Sequence, residues 1–202
     1  MGVTGLWELI SESIERVPIT HITGKRIAVD LAWWIMSDRS IAQSRLHPKN
    51  AEKTARIGNK EIQNFHVRNL LFRAQKMVEL GAVPVFVLDG KAPDRKLQTI
   101  AARLGKAMVK SGERRQLVRL FKPCCDLFDG MGLEWIQAPF EAEKMCAIMQ
   151  QAGKVDAVLT QDGDSFCFGA TKVSLQESIA YNETTAVYKD RRHFLALKDG
   201  TE

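Results

Sequence analysis

Six carboxylates in this sequence stand where chemistry could use them. Asp30 follows Ile27-Ala28-Val29, and Asp89 follows Val83-Pro84-Val85-Phe86-Val87-Leu88. Glu141 and Glu143 come just after residues 133–138 and Pro139, while Asp162 and Asp164 follow residues 155–160. Each acid or pair of acids thus closes a short apolar run. Gathered at one edge, the six would repel and raise one another's proton affinity. Hard divalent cations relieve that repulsion, and an oxygen-only donor set suits Mg2+, with Mn2+ as a substitute. Two such ions about 4 Å apart could activate a water and stabilise the leaving oxygen of an in-line phosphodiester cleavage.

Each acid also has a plainer reading. Asp162-Gly163-Asp164 is a common turn sequence. Glu141 and Glu143 could favour the positive end of a following helix, and Asp30 and Asp89 could cap helices. These alternatives stay open position by position. What favours a metal site is recurrence, since four successive apolar runs all deliver acids at their ends.

The formal net charge of +5 is unevenly distributed. Residues 91–122 carry ten basic groups against Asp94 and Glu113, a net +8 in 32 residues, whereas the other 170 residues carry 19 basic and 22 acidic groups, a net −3. A basic block beside an acidic body suggests a polyanion held at one place. Lys96 and Arg103 are seven apart, on one face of a helix two turns long, and are placed to hold a phosphate over the metals. Lys91, Arg95, Lys106, Lys110, Arg114 and Arg115 could grip backbone phosphates with salt-dependent, sequence-independent affinity. A solvated helix face is the plain reading, but such faces usually interleave both signs.

The apolar runs that end in acids are short, β-branched and not strictly alternating, as expected of parallel strands buried on both faces. Helical spacing fills the gaps: Val67, Leu70, Leu71, Ala74, Met77 and Val78 form one stripe, with Gly81 at the expected stop. Leu117, Leu120, Phe121, Cys124 and Phe128 form a second stripe ending near Gly130, and residues 142–151 form a third helix closed by Gly153. The alternation predicts an α/β, doubly wound, mainly parallel sheet with helices on both faces. Residues 44–64 are polar, carry the turn signals His47-Pro48 and Gly58-Asn59, and are expected to form a surface insertion. A further strand is expected around Ala186-Val187-Tyr188. A chain of 202 residues is one domain of ordinary size, and residues 1–202 are read as such.

Other phosphate and hydrolytic chemistries fit poorly. There is no Gly-rich Walker loop, and Gly130-Met131-Gly132 precedes an expected strand instead of following one. An EF-hand would need oxygen ligands where Phe166 and Phe168 stand. The four histidines are scattered, so no Ser-His-Asp set can be assembled. Cys124, Cys125, Cys146 and Cys167 form no C-x-x-C pair and read as reduced intracellular thiols, neither disulfides nor a zinc site. No apolar stretch reaches the roughly 18 residues of a membrane span, so no membrane partner is expected.

Five blocks, MGVTGLWELI, GKRIAVDLAWW, VPVFVLDGKAPDRK, APFEAEKMCA and LTQDGDSFCFGA, resemble in order those of the flap-endonuclease/XPG-type nucleases. FHVRNLLFR and GDSFCFGA resemble most the GEN branch, which resolves Holliday junctions. The resemblance implies a PIN-like fold with a basic helical arch over residues 91–122. The activity it implies is that of a two-metal, Mg2+-dependent, structure-specific endonuclease acting on branched or flapped DNA in repair and recombination. It implies that Asp30, Asp89, Glu141, Glu143, Asp162 and Asp164 are metal ligands, that Lys96 and Arg103 steer the phosphate, and that Gly2 lies near the active site once Met1 is removed. Nuclear residence is likewise implied, while dimerisation on DNA stays open. Phe140 stands where the family usually has Gly. A last acidic block of G-x-D-Y type and a helix-hairpin-helix element are expected downstream of Glu202. Without them, the alternative is a weak or inactive domain that binds branched DNA or a repair partner.

Overall fold

The apolar runs around Asp30 and Asp89 form the centre of a single sheet. A computed structural model describes residues 14–35, 59–90, 112–160, 163–174 and 185–189 of the chain. In chain order the elements are β1 (Ile14–Val17), a short 3-10 turn (Ile19–Ile22), β2 (Arg26–Asp30), α1 (Asn59–Glu79), β3 (Val83–Leu88), α2 (Gly112–Met131) and β4 (Glu134–Gln137). They continue with α3 (Ala142–Gln151), β5 (Ala157–Leu159), α4 (Asp164–Cys167), β6 (Lys172–Ser174) and β7 (Thr185–Lys189). Residues 31–35, directly after β2, are also helical.

The seven strands lie in the order β1-β7-β6-β5-β2-β3-β4. From β6 to β4 all neighbours pair in parallel, and β7 and then β1 extend the β6 edge antiparallel. The chain leaves β2 outward through β3 and β4, then returns to build β5 and β6 on the other side of β2. Such a reversal opens a crevice at the carboxyl ends of the two strands beside it, the usual ligand position in open α/β sheets. Here those strands are β2 and β5.

Strand side chains alternate between faces, and the core divides accordingly. Ile27, Val29, Phe86, Leu88 and Leu159 turn to one face, where α1 and α2 cover them with Leu70, Ala74, Met77, Phe121, Cys124 and Phe128. Ala28, Val85, Val87 and Val158 turn to the other, where α3 and the segment after it supply Ala142, Cys146, Ala147, Met149, Phe166 and Ala170. The doubly wound, mainly parallel sheet with helices on both faces is therefore the fold observed.

The predicted helix stops hold. At the end of α1 the Gly81 N–H donates to the Val78 carbonyl and the Ala82 N–H to that of Met77, with Gly81 at φ 77°, a conformation that a side chain would strain. The strand expected near Ala186 is β7. One boundary differs. The helix begins at Asn59, so residues 59–64 of the predicted surface insertion are helical, and Asn59, read as part of a turn signal, is the first residue of the helix. The strands β1 and β6 had no counterpart in the sequence reading. The first part of the basic block lies outside the described residues, and from Gly112 onward it is the opening half of α2. No helix among the described residues is long and apolar enough to cross a membrane.

Candidate metal centre

The face on which each acid sits follows from strand parity. Ala28 belongs to the α3 face, so Asp30, two residues later, points the same way. Val85 and Val87 share that face, and Asp89 continues their row. Asp30 pairs in register with Val87 on β3, so Asp89 stands two residues further along the neighbouring strand. Val158 on β5 is also on this face, and Thr160 follows it. Three adjacent strands therefore end in Asp30, Asp89 and Thr160 on one side of the sheet, next to the start of α3.

Asp30 is only 3% exposed, and a carboxylate so buried needs partners. Its Oδ1 accepts from the Ala32 N–H at 3.1 Å, capping the helical residues that follow. Its Oδ2 accepts from the Thr160 hydroxyl at 3.2 Å. Asp89 reaches across the site: its Oδ1 accepts from the Ala142 N–H, the first residue of α3, at 2.8 Å. Glu141 occupies the cap position of α3 in the chain, but its side chain makes no capping hydrogen bond. Asp89, 53 residues upstream, does that work, where the positive end of the helix favours its charge. The capping role read for Asp30 and Asp89 is thus real, and it fixes both carboxylates at the carboxyl edge.

Glu143 lies in the first turn of α3. One turn on, the buried thiol of Cys146 is pushed well above the ordinary thiol range, chiefly by burial and then by the charges of Asp30, Glu143 and Asp89. Three of the six predicted acids thus lie within electrostatic reach of one sulfur. Asp164 opens α4, which packs against α3 and brings a further acid to the same face. Beside it Ser165 is fully buried, and its hydroxyl has no hydrogen-bond partner among the described residues.

Gly90 locks the arrangement. Its N–H donates to the Phe140 carbonyl at 2.6 Å, and a Cβ placed on it would stand 1.9 Å from the Ala138 carbonyl oxygen and 2.6 Å from the Pro139 carbonyl carbon. Only a residue without a side chain lets the backbone after Asp89 lie this close to the 138–140 loop. The Ala138 N–H also donates to the Leu88 carbonyl at 2.8 Å, so Asp89 and the start of α3 are tied together on both sides of Gly90.

The structure places Asp30, Asp89 and Glu143 within electrostatic reach of one thiol, with Glu141 and Asp164 at the starts of α3 and α4. Asp162, Lys96, Arg103, Gly2, Lys91, Arg95, Lys106 and Lys110 lie outside the described residues. Arg114 and Arg115 are on the first turn of α2, and their side chains are not described. Lys122, at the end of the basic block, pairs with Asp126 at 2.9 Å, and that bond raises its pKa; this member of the block is a solvated helix pair. Among the described residues no three acids, histidines or cysteines converge as a finished metal cage. The donor set that is present contains only carboxylate and hydroxyl oxygens, which fits Mg2+ or Mn2+. Gly90, Thr160 and Cys146 were missed in the sequence. The Asp89-Gly90 pair was a visible signal for a close backbone approach.

Two family models match the chain: the XPG N-terminal domain over residues 1–108 and the XPG I-region over residues 132–197. The flap endonuclease GEN of Drosophila melanogaster is 32% identical over 197 residues, a match covering 89% of this chain and 25% of that protein. Among solved structures, the catalytic core of Rad2 in complex with DNA substrate superimposes with a TM-score of 0.75 at 29% identity, covering 97% of this chain and 57% of that one. Human GEN1 in complex with Holliday junction DNA does so with a TM-score of 0.72 at 25% identity, covering 98% and 46%. The chain spans about a quarter of the length of the fly relative. The likeness takes in the whole PIN-like sheet and its flanking helices.

Proposed function

The chain belongs to the XPG family, and from that membership we propose that it is a Mg2+-dependent, structure-specific DNA endonuclease that cleaves phosphodiester bonds in branched DNA, a flap or a four-way junction. The observation that carries the reading is the convergence of Asp30, Asp89 and the acidic start of α3 on one face of the sheet, at its carboxyl edge. Asp30, Asp89, Glu141, Glu143, Asp162 and Asp164 would hold two ions. Bound there, such ions supply a water activated for attack and neutralise charge developing on the phosphodiester.

The rest of the work falls to the chain itself. The Ala142 and Ala32 N–H groups and the Thr160 hydroxyl hold two carboxylates in fixed directions before any ion arrives. In the proposal Lys96 and Arg103 steer the scissile phosphate toward these acids, with Gly2 close by. Lys91, Arg95, Lys106, Lys110, Arg114 and Arg115 track the backbone, which makes affinity fall steeply with salt. Residence in the nucleus belongs to the same proposal.

The test is cleavage of 5′-flap and four-way-junction DNA with Mg2+, using Asp89→Asn as the control. An Asn oxygen can still accept from the Ala142 N–H, so the variant keeps the helix cap while losing the charge. Cleavage should fall roughly a hundred- to a thousandfold, the range for removing one preorganised group that stabilises transition-state charge. Cleavage that persists in Asp89→Asn would sink the reading. Salt-sensitive binding of branched DNA with no metal-dependent product would leave a DNA-binding domain in its place.

A further inference from the structure

Most of the large apolar side chains exposed among the described residues lie away from the acids. Phe72 and Val78 are on α1, Val83 begins β3 at the opposite end of the sheet, and Ile148 is on the second half of α3. Phe140 is the exception. The residue is 53% exposed, it directly precedes Glu141, and its carbonyl is held by the N–H of Gly90, the residue after Asp89. An exposed aromatic residue is therefore tied through its backbone to the segment after Asp89 and is adjacent in the chain to Glu141.

The loop that carries it is stiff. Pro139 fixes the preceding backbone, the Gly90 N–H pins Phe140 itself, and the space around Gly90 admits no Cβ. A ring kept in water on a rigid loop buries nothing in its own fold. It is, however, pre-ordered for a flat partner, which would lose little further freedom on docking. Consecutive Cα atoms are about 3.8 Å apart, and neighbouring bases along a strand about 3.4 Å. Phe140 is one residue from Glu141 and hydrogen-bonded to the residue after Asp89, so on the nuclease reading it shares a small neighbourhood with the nucleotide next to the scissile phosphate.

We infer that Phe140 is a nucleobase-stacking platform beside the scissile phosphate, which rests on the nuclease reading above. It takes an unpaired or frayed base of the DNA strand being cut. Stacking tolerates every base, because each has a π-face. The platform accordingly recognises structure and not sequence: a fully paired duplex keeps its bases in the stack, while a branch point offers one that is free. The acids position the phosphate, and Phe140 selects for a loosened nucleotide next to it.

The experiment places 2-aminopurine at successive positions across the cleavage point of a flap and of a four-way junction, and follows its fluorescence on binding to the full 202-residue chain without metal. Wild type should quench the probe at the nucleotide flanking the cut and not at positions further along. Phe140→Ala and Phe140→Leu should lose that quench and bind branched DNA about tenfold more weakly, within the range for loss of one base–aromatic stack. Phe140→Trp should retain both, and binding of a paired duplex of equal length should change less than twofold in every variant. Quenching that persists at the flanking position in Phe140→Ala overturns the inference, as does an equal loss on branched and paired DNA. If wild type neither binds nor cuts branched DNA, the nuclease reading fails as well. If it does both and Phe140→Ala matches it, the stacking platform alone fails.

Discussion

The two faces of the sheet are packed by different means. Under α1 and α2 the core is thick and aromatic: the Phe86 and Phe128 rings stack with centroids 3.9 Å apart and planes 10° from parallel, and Trp34 meets Phe86 edge-on at 5.9 Å. Under α3 the core is thin, with Ala28, Ala142, Ala147 and Cys146 at its centre. Small residues let α3 approach the sheet closely, and that approach lets the Ala142 N–H meet Asp89 at 2.8 Å. One face carries the large aromatic rings, and the other holds the carboxylates in place. On the function proposed above, stability and chemistry would be separated across a single sheet.

The strongest way to break that separation is to damage the aromatic face. Phe128→Ala should destabilise the protein by about 3–5 kcal/mol, the usual loss for truncating a buried aromatic, as measured by urea unfolding. Because Phe128 faces away from the acids, cleavage per folded molecule below the transition should stay within about twofold of wild type. A variant that loses cleavage while keeping its unfolding midpoint would show that the aromatic face helps to set the site, and the division of labour would be wrong.

Gly90→Ala attacks the other face. The added methyl would meet backbone atoms of Ala138 and Pro139, which have no rotamer to escape into. Overpacking of this kind destabilises by about 1–3 kcal/mol, and here it also pushes Asp89 away from α3. Cleavage should therefore fall at least about tenfold in protein that is still fully folded, since small misplacements of a positioned group are felt strongly. Unchanged cleavage by Gly90→Ala would mean that the closeness of strand end and helix start is not what fixes Asp89.

These positions also mark how far the sequence could be read. The acids at the ends of β2 and β3 and the buried stripe of Leu70, Ala74 and Met77 were legible because period and burial are local properties, whereas Val78, expected in that stripe, is exposed. That Asp30 and Asp89 share a face also follows from parity, once the strands are known to be neighbours. Tertiary contacts were not legible. That the helix capped by Asp89 is α3, 53 residues away, is not given by any local spacing. Nor does spacing along the chain bring Thr160 to Asp30. The strands β1 and β6 escaped notice because Ile14-Glu15-Arg16-Val17 and Lys172-Val173-Ser174 are short and half polar, and they become strands by pairing, β1 with β7 and β6 with β5 and β7. Phe140 was visible as an unusual residue, but its exposure at the edge of the site is a property of the folded loop.

Thr160→Val gives a finer probe of the acid face. It keeps the shape of the side chain and removes the hydroxyl that donates to buried Asp30 at 3.2 Å. Hydrogen bonds to charged groups are worth about 1.5–3 kcal/mol, so a loss near the lower figure is expected in urea unfolding, with Asp30 still held by the Ala32 N–H. A variant of unchanged stability would mean that the pair contributes nothing net to holding Asp30.

The smallest effects to be measured are the most direct comparison, because each face carries its own buried cysteine. Cys124 belongs to the aromatic core and Cys146 to the acid-bearing one, whereas Cys167 is exposed and Cys125 half-buried. With a thiol-specific reagent followed by mass spectrometry, Cys167 should react first. Cys125 should lag behind it near neutral pH, because burial, and then the charges of Asp129 and Asp126, raise its pKa and thin out the reactive thiolate. That gap should narrow as the pH rises through the raised value, where the Cys125 thiolate becomes the main form. Cys124 and Cys146 react only when their faces open, so their rates report local opening free energies. The thin face should open more readily, with Cys146 labelled before Cys124, and Thr160→Val should speed Cys146 alone. Equal rates in wild type and in Thr160→Val would show that the two faces open as one unit, in which case the chemistry-bearing side draws its rigidity directly from the aromatic side.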